Sequence, residues 1–193
     1  MTNNVFITGG SRGIGAAAVL AFARAGYNIA FTYNSHPDAA DAVRRQAEEI
    51  NPGGLYLAIR ADAGDPAQVR AAVARAEQEL GSLQVLVCNA GVLLFGPLAA
   101  APPERIGRIV TLHCTTPALL CRLYGEEMRR RGEGYILVMS SATAWMPYPT
   151  IAAYAATKSF LRTFARSLNF EFRKYGVRVT GVFPGAVDTP LYD

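Results

Sequence analysis

Tyr154 and Lys158 lie four residues apart in a segment whose apolar spacing predicts a helix, and Ser140 and Ser141 close an apolar run shortly before it. Residues four apart share one helix face, one turn from each other. A tyrosine, with a pKa of about 10, is a poor acid or base at neutral pH. A neighbouring ammonium favours the phenolate, which is what a general acid–base role needs. Ser141 offers a hydroxyl to hydrogen-bond a substrate oxygen. The same Tyr–Lys spacing, standing alone, also suits an ordinary surface pair.

A second cluster sits near the start of the chain: Thr8, Gly9, Gly10, Ser11, Arg12, Gly13, Ile14 and Gly15. It follows the apolar run 5–7 and precedes the alanine-rich stretch 16–25. Strand, glycine turn and helix is the arrangement in which Gly9 permits a tight turn and Gly13 lets backbone approach a pyrophosphate. Gly15 then lets the helix pack closely on the strand, and the helix N-terminus offers its N–H groups to phosphate. After the second apolar run come Tyr33, Asn34, Ser35 and His36, with no acid before Asp38. An acid at this point would bind an unphosphorylated adenosine ribose. Arg12 with Asn34 and Ser35 would instead hold a 2′-phosphate, so NADP(H) is expected over NAD(H); a merely solvated Arg12 is the plainer alternative. Asp62, with Ala63, suits an adenine amino group or a plain turn. Asn89, Ala90 and Gly91 place small residues where backbone meets a flat ring, or form an ordinary turn.

Those residues need a frame to converge. Apolar runs at 5–7, 28–33, 55–60, 83–88, 135–140 and 177–183 alternate with helical patterns at 14–25, 38–50, 66–80, 103–131 and 153–175. Runs that are apolar throughout read as strands buried on both faces. The expected fold is α/β: a doubly wound parallel sheet of the Rossmann type, three layers α/β/α, in a single domain. Ligands of such sheets bind beyond the carboxyl ends of the strands, where the strand order reverses.

The chain has 193 residues, 51% hydrophobic, with 19 basic against 15 acidic side chains for a net charge of +4. That balance is too diffuse for nucleic acid, and the arginines at 129–131 read as a solvated helix end. Cys88, Cys114 and Cys121 form no C-x-x-C pair and are expected as buried thiols in a reducing compartment. No metal site, membrane span or basic leader is read, so the expectation is a cytoplasmic protein with a small-molecule partner.

All these pieces, in order and spacing, resemble the short-chain dehydrogenase/reductase family over the whole chain, in the manner of NADP(H)-preferring 3-oxoacyl-carrier-protein reductase-like members. The quoted motifs are Thr8-Gly9 through Gly13-Ile14-Gly15, Asp62, Asn89-Ala90-Gly91, Ser141, Tyr154 with Lys158, and Pro184-Gly185 with Val187 and Thr189. The resemblance implies that Tyr154 exchanges a proton with a carbonyl or alcohol substrate. It implies that Lys158 lowers the tyrosine pKa and holds the nicotinamide ribose, and that Ser141 positions the reacting oxygen. The segment at Pro184 would face the nicotinamide. A sensor or scaffold that binds NADP(H) without turnover is the competing reading.

Two departures accompany the resemblance. Counting from Gly91 and matching 118–128 puts His113 where the family has an asparagine that completes a catalytic tetrad. That asparagine holds a relay water through its carbonyl. Pro117 has no N–H to bond the carbonyl of His113, so the water site is expected to survive; the imidazole is read either as titrating within the relay or as a tolerated packing residue. The sequence also stops at Asp193, where family members continue with a lid, a helix and a last strand. Such residues are expected to follow it, the alternative being a true truncation that leaves the sixth strand an edge. Phe160, Phe164 and Phe172, with Leu161 and Leu168, read as core plus a helix-to-helix interface of a homodimer or homotetramer. Trp145, Met146, Tyr148, Leu93, Leu94 and Phe95 read as walls of an apolar substrate pocket or as loop cover.

Overall fold

In the computed structural model of the chain, described for residues 3–146 and 148–189, every strand of one six-stranded sheet runs parallel to its neighbours. The strands are β1 Asn4–Ile7, β2 Asn28–Tyr33, β3 Tyr56–Arg60, β4 Val85–Cys88, β5 Gly134–Met139 and β6 Val177–Val182, in spatial order β3-β2-β1-β4-β5-β6. Helices α1 Gly13–Arg24, α2 Pro37–Ile50, α3 Pro66–Leu80, α4 Pro103–Val110, α5 Thr116–Arg131 and α6 Ala152–Phe172 make the crossovers. The order reverses at β1, which pairs with β2 on one side and β4 on the other.

Side chains alternate across the sheet because successive Cβ atoms of a strand point to opposite faces. In β1, Phe6 packs with α3, α5 and α6, whereas Val5 and Ile7 pack with α1 and α2. β1 and β4 are buried throughout, as their continuous apolar sequences require. β5 and β6 differ from that expectation. Tyr135, Arg178 and Thr180 are exposed while their neighbours are buried. Their outward face lies at the margin of the cluster under α1 and α2, which takes in β1 to β4 and reaches β5 only at Leu137. β6 forms the edge of the described sheet; the chain end at Asp193 lies outside the described residues.

The region 103–131, expected as one helix, is interrupted. α4 passes through a π turn at Thr111–Thr115 before α5 begins, and the Thr116 N–H reaches back five residues to the Thr111 carbonyl. Pro117 is the cause nearest to hand, since it cannot supply the N–H that an unbroken helix would use. α6 carries Leu161, Ala165 and Leu168 into the core, and Phe172 lies against Gly125 of α5. Phe164 packs, partly buried, against the same core and stacks on Phe160, with centroids 5.5 Å apart, and Phe160 stays exposed. Among the described residues no helix is long and apolar enough to cross a membrane.

The glycine turn is held by close approach. Gly9 adopts φ +70°, which side chains disfavour, and a Cβ on Gly15 would sit 2.0 Å from the Gly9 carbonyl oxygen and 2.6 Å from Asn89 Nδ2. Gly15 is therefore demanded by the turn itself rather than by helix-on-strand packing. Gly10, which had no assigned role, faces β2, where a Cβ would meet Phe31 Cβ at 2.6 Å and its ring at 2.7 Å. Gly15→Ala is expected to destabilise the fold by about 1–3 kcal/mol, the usual cost of overpacking. Gly107→Ala, in α4 with nothing near its Cβ position, should be neutral or stabilising. Thermal denaturation of both variants checks the contrast, and equal effects would contradict it.

Candidate active site

The carboxyl ends of the strands open into one cavity of about 640 Å³. At its centre, where the strand order reverses, the ends of β1 and β4 are laced together. Thr8 Oγ1 accepts from the N–H groups of Asn89 and Ala90, both at 3.0 Å. Asn89 Nδ2 donates back to the carbonyls of Thr8 and Gly9 at 3.0 and 3.1 Å. These bonds hold the glycine turn against the small-residue turn. The cavity also meets the N-terminus of α1, whose cap residue Arg12 supplies no side-chain bond and whose first turn has no acid. Its N–H donors and positive dipole end therefore suit an anion.

All the cofactor-site residues expected from sequence line this cavity: Gly9, Ser11, Arg12, Gly13, Ile14, Asn34, Ser35, Asp62, Ala63, Asn89, Ala90, Gly91, Tyr154, Lys158, Pro184, Gly185, Val187 and Thr189. Ser141 lines it as well; His113 does not. Asp62 already has partners. Its Oδ1 accepts from the Gly64 N–H at 2.8 Å, and Arg108 Nη2 of α4 reaches Oδ1 at 3.0 Å and Oδ2 at 2.8 Å.

The two serines after β5 diverge. Ser140 turns inward and donates to the Lys158 carbonyl at 2.7 Å. Ser141 caps a short turn at Ala142–Ala144, its Oγ accepting from the Thr143 N–H at 3.2 Å and the Thr143 hydroxyl at 3.0 Å. With Oγ accepting twice, the Ser141 proton is left to donate.

Tyr154 and Lys158 stand one turn apart on α6, and Lys158 Nζ lies 5.5 Å from the centre of the Tyr154 ring. Only 4% of Lys158 is exposed, and Nζ donates to the Met139 carbonyl at 3.0 Å. Burial pushes its pKa down from 10.5 to about 8, slightly opposed by Cys114.

His113 is buried, with its ring edge-on to Tyr154 at 5.7 Å. The Val92 N–H donates to Nε2 at 3.1 Å, so that nitrogen carries no proton. Nδ1–H then donates to Thr157 Oγ1 at 2.9 Å, and the Thr157 hydroxyl donates to the Tyr154 carbonyl at 2.7 Å. The expected titration near neutrality does not hold. Desolvation, aided by the Lys158 charge, pushes the imidazole pKa down to about 2. His113 is a neutral strut between the turn after β4 and α6.

The apolar wall is narrower than expected. Leu93, Phe95 and Tyr148 line the cavity, but Leu94 is packed with Ile109, Ile151 and Tyr154. Trp145 and Met146 turn to a separate hollow against α6, where Arg162 lies 4.3 Å from the indole centre. Cys88 and Cys121 are buried thiols, Cys114 is half-buried, and the described residues hold no metal-ligand cluster. Arg108, Thr143 and Thr157 are additions that sequence reading missed. Thr143, two residues after Ser141, carried a readable turn signal; Arg108 reaches Asp62 only through the fold.

The chain matches the family model for short chain dehydrogenases over residues 3–193. It belongs to the short-chain dehydrogenase family. Members are oxidoreductases acting on alcohol or carbonyl groups, and this chain is an enzyme of that class. It is 34% identical over 187 residues to oxidoreductase UcpA of Salmonella typhimurium, covering 96% of this chain and 69% of that protein. It superposes with a TM-score of 0.91 on a short-chain dehydrogenase from Sphingobium yanoikuyae in complex with NADPH, at 29% identity, covering 98% of this chain and 73% of that one. A blue fluorescent protein from a metagenomic library, in complex with NADPH, gives 0.91 at 37% identity, covering 98% and 76%.

The strut role makes a prediction in acid. The unfolded chain takes a proton on His113 near pH 6.5, whereas the folded chain refuses it until about 2. Stability is therefore lost as pH falls below 6.5, by about 1.4 kcal/mol per pH unit. His113→Asn should flatten this loss between pH 7 and pH 5 in thermal denaturation. Parallel losses in both proteins would contradict the strut.

Proposed function

We propose that this short-chain dehydrogenase is an NADP(H)-dependent carbonyl reductase in which Tyr154 is the general acid–base, Lys158 its electrostatic partner and Ser141 the anchor of the substrate oxygen. One observation carries the reading: the Tyr154–Lys158 pair and Ser141 open onto the same cavity as the uncapped N-terminus of α1. The residues there fit a dinucleotide phosphate. Gly9 and Gly13 both have positive φ, Gly13 lies beneath Thr189, and the α1 N–H donors need an anion. Arg12, Asn34 and Ser35 line the cavity with no acid among them, which favours a 2′-phosphate. When bound, the cofactor supplies the hydride.

The chain's own residues supply position and the proton. Ser141, its oxygen already accepting from Thr143, donates to the substrate oxygen. Tyr154 gives its phenolic proton to that oxygen as carbonyl becomes alcohol. The Lys158 ammonium beside the ring favours the phenolate left behind and holds the ribose hydroxyls. Reprotonation runs through a water on the His113 carbonyl, which Pro117 cannot bond. Leu93, Phe95 and Tyr148 favour a substrate with an apolar body. We further assign the described chain to one cofactor-binding and catalytic domain of a cytoplasmic homo-oligomer, with the Phe160–Phe164 stack at a helix-to-helix contact.

Tyr154→Phe should lower turnover by about 10²- to 10⁴-fold, the usual share of acid–base catalysis, and keep NADPH binding. Full retention of turnover would sink the mechanism and favour the sensor reading. Lys158→Met should also lose turnover, yet gain stability at pH 7. Below pH 8 the folded chain carries the full cost of a buried charge, which fades as pH rises toward 10.5. Removing it should gain on the order of 2 kcal/mol after loss of the Met139 bond. A lower melting temperature at pH 7 would contradict this.

A further inference from the structure

Thr143 stands two residues after Ser141 and lines the cavity beside it, together with Tyr154. Capping the turn at Ala142–Ala144 needs only the Thr143 N–H, which donates to Ser141 Oγ at 3.2 Å. The Thr143 hydroxyl, which donates to the same oxygen at 3.0 Å, is surplus to the turn. Its place is nonetheless fixed. The Ala142 N–H donates to the Pro184 carbonyl at 2.9 Å, and Ser159 Oγ of α6 donates to the Ala144 carbonyl at 3.1 Å. A β-branched side chain on a turn tied at both ends has little rotamer freedom.

The two hydroxyls differ in what they can still offer. A hydroxyl carries one donor and two acceptor lone pairs. Ser141 Oγ accepts twice from Thr143, so its proton is what it has for a ligand. Thr143 Oγ1 has given its proton to Ser141 and accepts no bond from a described residue, so it offers lone pairs.

A donor and an acceptor 3.0 Å apart on one wall complement two oxygens on neighbouring carbons, the first accepting and the second donating. An α-hydroxyketone has that pattern. We propose that the substrates of this site are α-hydroxyketones, the carbonyl oxygen accepting from Ser141 and the α-hydroxyl donating to Thr143. The bonds then form a chain that begins and ends on the substrate: α-hydroxyl to Thr143, Thr143 to Ser141, Ser141 to carbonyl. Every O–H in it points the same way, and bonds so aligned strengthen one another. Leu93, Phe95 and Tyr148 take the apolar remainder of the substrate. An α-hydroxyketone, NADPH and the Tyr154 proton give a vicinal diol and NADP⁺, and the α-hydroxyl keeps its own proton. Thr143 is then a specificity residue, an inference that rests on the carbonyl-reductase reading.

The test compares NADPH-dependent reduction of α-hydroxyacetophenone and of its methyl ether by the whole chain. The ether keeps the α-oxygen and its pull on the carbonyl but has no proton to give. Wild type should favour the hydroxyketone in kcat/KM by about fivefold or more, the worth of one hydrogen bond to an otherwise unpaired group. Thr143→Val removes the acceptor. It should slow both ketones, because Ser141 loses a bond, and cut the ratio between them severalfold. Thr143→Ser should keep the ratio. A merely structural Thr143 would move rates or melting temperature and leave the ratio alone. Equal or reversed preference in wild type, or the wild-type ratio in Thr143→Val, would overturn the proposal. Reduction of neither ketone by wild type would overturn the carbonyl-reductase reading and this inference with it.

Discussion

A buried ammonium ion is the constraint around which this site is arranged. Lys158 is 4% exposed, and an unpaired charge out of water is expensive. The surroundings answer that cost in specific ways. The Met139 carbonyl at the end of β5 turns its dipole to Nζ, which fixes α6 to the sheet and thereby the height of Tyr154 above it. His113 on the facing π turn is kept neutral by its burial and by the Lys158 charge, with both ring nitrogens bonded to Val92 and Thr157, so no second cation competes. The chain has two lysines, Lys158 and Lys174, its other basic side chains being arginine. An arginine at 158 would hold its proton at every working pH, whereas a lysine there titrates near neutrality.

The rest of the site follows from the switch in strand order. Parallel strands direct the loops that follow them to one side of the sheet, and the reversal at β1 opens a cleft between the β1 and β4 ends. Thr8 and Asn89 lace that cleft with four hydrogen bonds, so two loops far apart in sequence are tied to each other. The α1 dipole, Arg12 and the Lys158 ammonium give the cavity a positive character along its length. An elongated anionic ligand with phosphate near the middle is what such a cavity accommodates.

Much of this was legible in the sequence because it is local. Strand runs, glycine turn and the Tyr154–Lys158 spacing each depend on residues within a few turns of one another. What escaped depends on distance or on cancellation. The break in the region 103–131 was missed because Pro117 stands where a proline can begin a helix, and the π turn before it leaves the apolar pattern intact. Tyr135, Arg178 and Thr180 alternate with apolar residues, but one exposed residue in two was masked by the strength of the apolar run. His113 was expected to titrate, since nothing in its neighbours reveals that the Val92 N–H and Thr157 close on it from opposite sides. Tyr148 borders both the main cavity and the hollow against α6, whereas Trp145 and Met146 of the same loop border only the latter, which sequence adjacency cannot show. Arg108 is 46 positions from Asp62, and only the crossover from β4 into α4 brings them together.

Titration of the Lys158 ammonium by NMR tests the central claim most directly. With lysine labelled at Cε, the chain gives two signals, one from Lys158 and one from exposed Lys174, and Lys158→Met assigns them. The structure predicts that the Lys158 signal titrates near pH 8. A midpoint at the ordinary lysine value of 10.5 would mean that the ammonium is hydrated, and the account of the site as built around a buried charge would fall.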